Sequence, residues 1–184
     1  MSNNIWAVRD AFRKDWPEIQ KFYKDLDEHS RYMYFGGYID DEVIDTLWKK
    51  FEDRNSDKFF VVEVGSSIVG VCQVAYFDQH AEISVAVTSE HRQQGIGHAL
   101  VSRGVNWCKT HGIQDLMMFC MEGNNIIEKI IKNHNLLPLM ISMPSEVKFK
   151  VPRANASDYQ QEIYSNILSS WMLLFKRLNF YSLL

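Results

Sequence analysis

Residues 81–100, AEISVAVTSEHRQQGIGHAL, change periodicity within twenty positions, and that change restricts the fold more than any other feature of the chain. Ala81, Ile83, Val85 and Val87 alternate with Glu82, Ser84 and Ala86, the two-residue period of a strand with one apolar face. From Ile96 the spacing becomes helical, through Leu100, Val101 and Val105. Between the two lies a loop with glycines at 95 and 97, which permits a tight turn and close approach of a ligand to the backbone. A helix that starts directly after such a loop presents N–H groups to an anion, phosphate above all.

Two familiar phosphate loops fail at specific positions. A P-loop needs Lys followed by Ser or Thr after its last glycine, where this chain has His98-Ala99. A dinucleotide-binding turn needs a third glycine where Leu100 stands. The pattern that fits is Arg92-x-x-Gly95-x-Gly97 between strand and helix.

The flanking chain supplies a mixed α/β order. Residues 5–9 form a plausible first strand. Asp15-Trp16-Pro17-Glu18 reads as a helix start with Asp15 as N-cap, followed by an apolar face of Trp16, Ile19, Phe22, Tyr23 and Leu26. Residues 30–35 break that pattern, and a second helix starts at Asp40-Asp41. Residues 58–64 and 68–77 predict two strands joined by a hairpin at Gly65-Ser66-Ser67. A helix over 96–110 ends at Gly112, and residues 114–121 are apolar enough for a central strand. A further helix is expected from Gly123, then a closing strand pair at 136–142 and 146–151. Cys72, Cys108 and Cys120 are scattered in apolar stretches, which suits buried reduced thiols in a cytoplasmic protein and no metal site.

On these residues the chain resembles the GCN5-related N-acetyltransferases, and within them the bacterial Pat-type protein-lysine acetyltransferases. The resemblance rests on the Arg92–Gly97 loop, on Ala81-Glu82 upstream of it, on Ser30-Arg31-Tyr32, and on Gly123-Asn124 with Ile127 and Ile130 beyond. It implies an α+β fold: a central mixed, twisted sheet of about seven strands flanked by four helices, here with an extra C-terminal helix. The expected division is an acetyltransferase domain over 1–154 and an amphipathic helical extension over 155–184. It also implies acetyl-CoA as acyl donor, with its pantetheine arm along Val85, Ala86 and Val87 and its pyrophosphate cradled by Gln93, Gln94, Gly95, Ile96, Gly97 and His98. Arg92 either pairs with a phosphate or is a surface arginine. Asn124 caps its helix and lines the cofactor groove. Tyr32, Tyr34 and Phe35 wall the acceptor site or pack as aromatic core. Three positions depart from the family: Ile131 stands where many relatives have a thiolate-protonating Tyr, Gln93-Gln94 replace Gly and Arg, and Asn135-Leu136 replace Gly-Phe.

Acetyl transfer to an amine needs a neutral nucleophile. A lysine of pKa about 10.4 is neutral only about once in a thousand at pH 7.4, a deficit of roughly 4 kcal/mol that a positioned base reduces. Glu82 is the candidate base; its alternative is a solvated charge at the sheet margin. The acceptor is expected to be a protein lysine, with a small-molecule amine or a non-catalytic acetyl-CoA-binding module as alternatives.

With 46% hydrophobic residues the chain of 184 can fill one core, and a net charge of −3 gives no basic footprint for nucleic acid. The first five residues show no signal-peptide pattern, and no apolar run reaches the length of a membrane span. Tyr159, Ile163, Ile167, Trp171, Phe175 and Leu178 recur at helical spacing. Such a helix must cover something: its own domain, a second copy in a homodimer, or a membrane surface.

Overall fold

The computed structural model describes residues 6–53, 57–77, 80–119, 136–142 and 146–177. Seven strands form one sheet in the order β1-β2-β3-β4-β5-β7-β6. They are β1 (Val8–Asp10), β2 (Lys58–Val64), β3 (Ser67–Phe77), β4 (His80–Val87), β5 (Asp115–Phe119), β6 (Leu137–Ser142) and β7 (Glu146–Lys150). All neighbours run antiparallel except β4 and β5, which are parallel. The helices are α1 (Trp16–Asp25), α2 (Glu28–Phe35), α3 (Asp41–Asp53), α4 (Ile96–Thr110) and α5 (Ala156–Arg177). The β2–β3 hairpin turns at Gly65 with φ 63°, and Gly112 with φ 75° follows the end of α4; both are backbone positions that favour glycine.

The sheet carries a core on each face. Alternation in β2 and β3 sends Phe60, Val62, Cys72 and Val74 toward α4, where they meet Leu100, Val101, Val105 and Cys108. The intervening Phe59, Val61 and Val71 pack against Ile19, Phe22 and Tyr23 of α1 and Ile44 and Trp48 of α3. Cys72 and Cys108 are free and buried, and burial raises both thiols, Cys108 to about 12, so neither is reactive at neutral pH. Gly70 of β3 lets the first turn of α4 sit down on the sheet: a Cβ there would fall 2.9 Å from Ile96 Cγ2 and Leu100 Cδ1.

Three features depart from the sequence-based expectation. Residues 28–35 are a helix of their own, because the Asp27 carboxylate accepts the Ser30 N–H at 2.9 Å and restarts the chain after the first helix. Asp15 does not cap α1 through its side chain. Its carboxylate is spent instead on Arg9 and on the Phe12 N–H. Arg9, 2% exposed, directs all five guanidinium N–H bonds at Asp15, Glu63 and the Asp10 carbonyl.

The third departure concerns the C-terminal helix. α5 lies along β1 and α4 with its polar side inward. Glu162 accepts from Arg103 at 2.5 and 3.1 Å, and Arg103 also donates to Asp10 Oδ1 at 2.9 Å and lies 4.5 Å over the Phe60 ring. Ser169 Oγ accepts the Asp10 N–H at 2.9 Å. Lys109 pairs with Asp158 at 3.4 Å, and Asn106 reaches the Asp158 carbonyl at 3.2 Å. The apolar series Tyr159, Ile163, Ile167, Trp171 and Phe175 is exposed on the outer side. Packing of that series on its own domain is therefore not what the helix does; four hydrophilic positions, Asp158, Glu162, Asn166 and Ser169, dock it. No helix among the described residues is long and apolar enough to cross a membrane.

Candidate active site

β4 is paired with β3 along its whole length, from Phe77↔His80 to Gly70↔Val87. Its pairing with β5 covers only His80, Ala81 and Glu82. β5 meanwhile stays registered with β7 through Phe119. Two parallel strands thus part after Glu82, and among the described residues the edge of β4 from Ile83 to Val87 has no strand on that side. A strand edge in the interior of a sheet is a template for an extended ligand that hydrogen-bonds like another strand. Five residues at 3.3–3.4 Å each make this open edge roughly 17 Å long.

The glycine loop stands at the far end of that edge. Gly95 adopts φ 83° and occupies the N-cap of α4, where it has no side chain to cap the helix. The first i→i−4 hydrogen bond of α4 runs from the Ala99 N–H to the Gly95 carbonyl at 3.0 Å, so the amides at 96 and 97 precede it. Gln93 also has positive φ, 61°, which is uncommon for a residue with a side chain and concentrates at functional turns. Gln93, Gln94 and His98 are exposed, and Gln94 donates to the Glu90 carbonyl at 3.2 Å.

Glu82 stands at the apex where the strands part. It is half-buried, and Ser84 Oγ donates to its Oε1 at 3.5 Å. Ser84 lies opposite Gln73 of β3. Gln73 Oε1 accepts from the Tyr34 hydroxyl at 3.3 Å while Gln73 Nε2 donates to Asp57 Oδ2 at 2.9 Å. Tyr34 and Tyr23 share a hydrogen bond of 2.8 Å, and burial raises both phenols, with the charge of Glu82 adding to the shift of Tyr34. Tyr34 is thus a fixed polar wall of the Glu82 face and a poor acid. Phe35 packs edge-on to Tyr23 and Tyr34 in the aromatic core. Tyr32 lies against Tyr38 with ring centroids 4.8 Å apart.

Arg92 is engaged by the protein itself. Its guanidinium donates to Ser30 Oγ and, at 3.3 Å, to the Val87 carbonyl, and lies 3.8 Å from Asp27. Hydrogen bonds from the Ser30 side chain and backbone, helped by Arg92, hold the Asp27 carboxyl below its ordinary range. Arg31 donates to the carbonyls of Lys24 and Ile39 and to Asp41 at 3.0 Å. Ser30 and Arg31 are therefore braces: one holds the glycine loop to α2, the other holds α2 between α1 and α3. Asn124, Ile131 and Asn135 lie outside the described residues.

Sequence reasoning overlooked Gln73, Asp57 and Asp27. Gln73 is the one amide in the apolar run SIVGVCQVAYF, and a polar side chain inside a buried strand asks for a partner. That signal was available.

A model of the acetyltransferase (GNAT) family matches residues 5–129. Among solved structures, the GNAT domain of S. lividans PAT superposes with TM-score 0.60 at 15% identity, covering 78% of this chain and 88% of its own. A spermidine N-acetyltransferase from Vibrio cholerae in complex with CoA and spermine gives 0.57 at 17%, covering 80% and 95%. The PaiA N-acetyltransferase from Thermoplasma acidophilum in complex with coenzyme A gives 0.57 at 14%, covering 80% and 99%.

Proposed function

Because the chain belongs to the acetyltransferase (GNAT) family, whose acyl donor is acetyl-CoA, we propose that it transfers acetyl to a primary amine with Glu82 as general base. The observation that carries this reading is the parting of β4 from β5 directly after Glu82, with the glycine loop at the other end of the open edge. The site fits the donor in kind: an unpaired strand edge for an amide-bearing arm, and helix-start amides for a pyrophosphate. When bound, acetyl-CoA supplies an acetyl group activated as a thioester.

The residues of the chain do the rest. The backbone at 85–87 holds the pantetheine amides, and the loop over 93–98 holds the pyrophosphate. Arg92 braces that loop through Ser30. Glu82 is placed to take a proton from the acceptor ammonium and so leave its nitrogen lone pair free, while Ser84 holds one carboxylate oxygen. Tyr34 and Gln73 form the wall against which the acceptor lies. The first reading of the acceptor is a protein lysine, on the resemblance through Ser30-Arg31-Tyr32. A small polyamine is the second, favoured by the neighbour in complex with spermine. The buried free thiols suit a reducing compartment, and we place the reaction in the cytosol.

A screen of acetyl-CoA turnover against lysine peptides, polyamines, aminoglycosides and free amino acids tests the proposal. Turnover with one class names the acceptor. Tight acetyl-CoA binding without transfer to any class leaves a non-catalytic binding module instead.

The cofactor site has its own test. A Cβ at Gly97 would meet Val87 Cγ2 at 3.7 Å, an ordinary contact, so the backbone there tolerates a Cβ. Gly97→Glu places a negative charge at the helix start and is expected to weaken acetyl-CoA binding about tenfold or more. Its melting temperature should stay near that of Gly97→Ala. Calorimetry that shows unchanged affinity would put the phosphates elsewhere.

A further inference from the structure

The outer face of α5 is apolar, continuous and uncharged. Tyr159, Ile163, Ile167, Trp171 and Phe175 follow one another every four residues, Tyr164 and Leu174 flank them, and these seven are 46% to 67% exposed. Side chains four apart line up along a helix, so the seven form one ridge. Between Tyr159 and Phe175 the sole ionisable acid or base among Asp, Glu, Lys and Arg is Glu162, which is buried and held by Arg103.

At 150–250 Å² for each aromatic side chain, the exposed portions of the ridge come to roughly 600–700 Å². The largest apolar patch on an ordinary monomer is about 300–600 Å², whereas each partner in a stable complex contributes about 800 Å². The ridge with its rim of Gln160 and Ser170 approaches the second figure. Its neutrality selects the occupant. A face that meets its own copy across a two-fold axis cannot carry charge near that axis without repelling itself, and this one carries none. A helix lying on a lipid surface needs basic residues along its apolar face; the only Lys and Arg of α5 are Lys176 and Arg177 at its C-terminal end, and its polar face is turned inward and spent on Arg103, Asn106 and Lys109.

We infer that the protein is a two-fold homodimer in which the outer face of α5 packs against the same face of a second copy, antiparallel, with Ile167 near the axis. Ile167 is the middle member of the ridge, so in an antiparallel pair it faces its own counterpart. The inference is independent of the proposed acetyl transfer, because it concerns no residue of the β4 site.

Sedimentation equilibrium of the full chain and of two variants tests it. The wild type is expected at twice the chain mass in the micromolar range. Ile167→Glu and Ile167→Lys each place like charges across the axis and should weaken association at least about a hundredfold, while keeping a cooperative melt and acetyl-CoA binding. An equimolar mixture of the two should sediment as a dimer again, since the opposed charges then attract. A wild type that is monomeric at high micromolar concentration overturns the inference, as does a dimer that survives Ile167→Glu. Failure of the mixture to associate overturns the placement of Ile167 at the axis. A monomeric wild type that co-sediments with phosphatidylcholine–phosphatidylglycerol vesicles assigns the face to a lipid surface instead.

Discussion

Replacing Glu82 with Gln is expected to lower kcat/KM on an amine acceptor about 10²- to 10⁴-fold while leaving acetyl-CoA affinity nearly unchanged. Gln preserves the size of the side chain and can still receive the hydrogen bond that Ser84 Oγ makes to Glu82 Oε1. What it loses is the capacity to accept a proton. The cofactor contacts proposed here lie on the edge of β4 beyond Glu82 and in the glycine loop, so donor binding has no reason to fall. The deficit should shrink as pH rises, because the acceptor is then already neutral in a larger fraction. Activity within threefold of wild type at neutral pH would remove Glu82 from the mechanism. A loss that does not vary with pH would make it a positioning residue.

The second large effect is on stability. Arg103→Met is expected to destabilise the protein by about 3–5 kcal/mol, the usual result of leaving a buried carboxylate without its cation. Arg103 is 5% exposed and holds Asp10 of β1 and Glu162 of α5 in one guanidinium fork. Without it Asp10 keeps Lys58 at 2.7 Å, but among the described residues Glu162 keeps only the Asn106 amide at 3.2 Å. Urea unfolding measures the loss, and a double-mutant cycle assigns it. Glu162→Gln on the Arg103→Met background should recover part of the stability, because the stranded charge is gone. Limited proteolysis should also cut α5 sooner in Arg103→Met than in the wild type. A change below 1 kcal/mol would mean that the network is solvated and contributes little.

How far these features could be read in advance depended on the range of the interactions behind them. The strand at Lys58–Val64 and the helix at Ile96–Thr110 follow the sequence pattern to the residue, because alternation and helical spacing are local properties. So does the turn at Gly95, where the backbone conformation selects the residue. Arg9, Asp10, Arg103 and Glu162 left no such trace. Each looks like an ordinary surface charge in its own segment, and the partners of Arg103 lie 93 and 59 residues away. The helical period of the tail was legible but its orientation was not. A stripe of Ile, Trp and Phe predicts burial, and only the remote Arg103 and Asp10 decide that the opposite side is the one that docks. Within the site, the loop and Glu82 were visible, while the bracing role of Arg92 required knowing that Ser30, 62 residues earlier, lies beside it.

The two adjacent charges of β1 have a consequence for how the chain finds its register. Arg9 and Asp10 point to opposite faces of an edge strand only three residues long, one toward Asp15 and Glu63, the other toward Arg103. Sliding β1 by one position along β2 would turn Asp10 into the aromatic layer around Tyr23 and Trp48, and Arg9 toward Arg103. Both displacements bury a charge against the wrong neighbour. A strand too short to define its alignment by apolar pattern is thus indexed by ionic pairing, as a two-pin plug enters its socket one way. The outer side of β1 is guarded separately: the Asp10 N–H, which an incoming strand would need, is taken by Ser169 Oγ of α5.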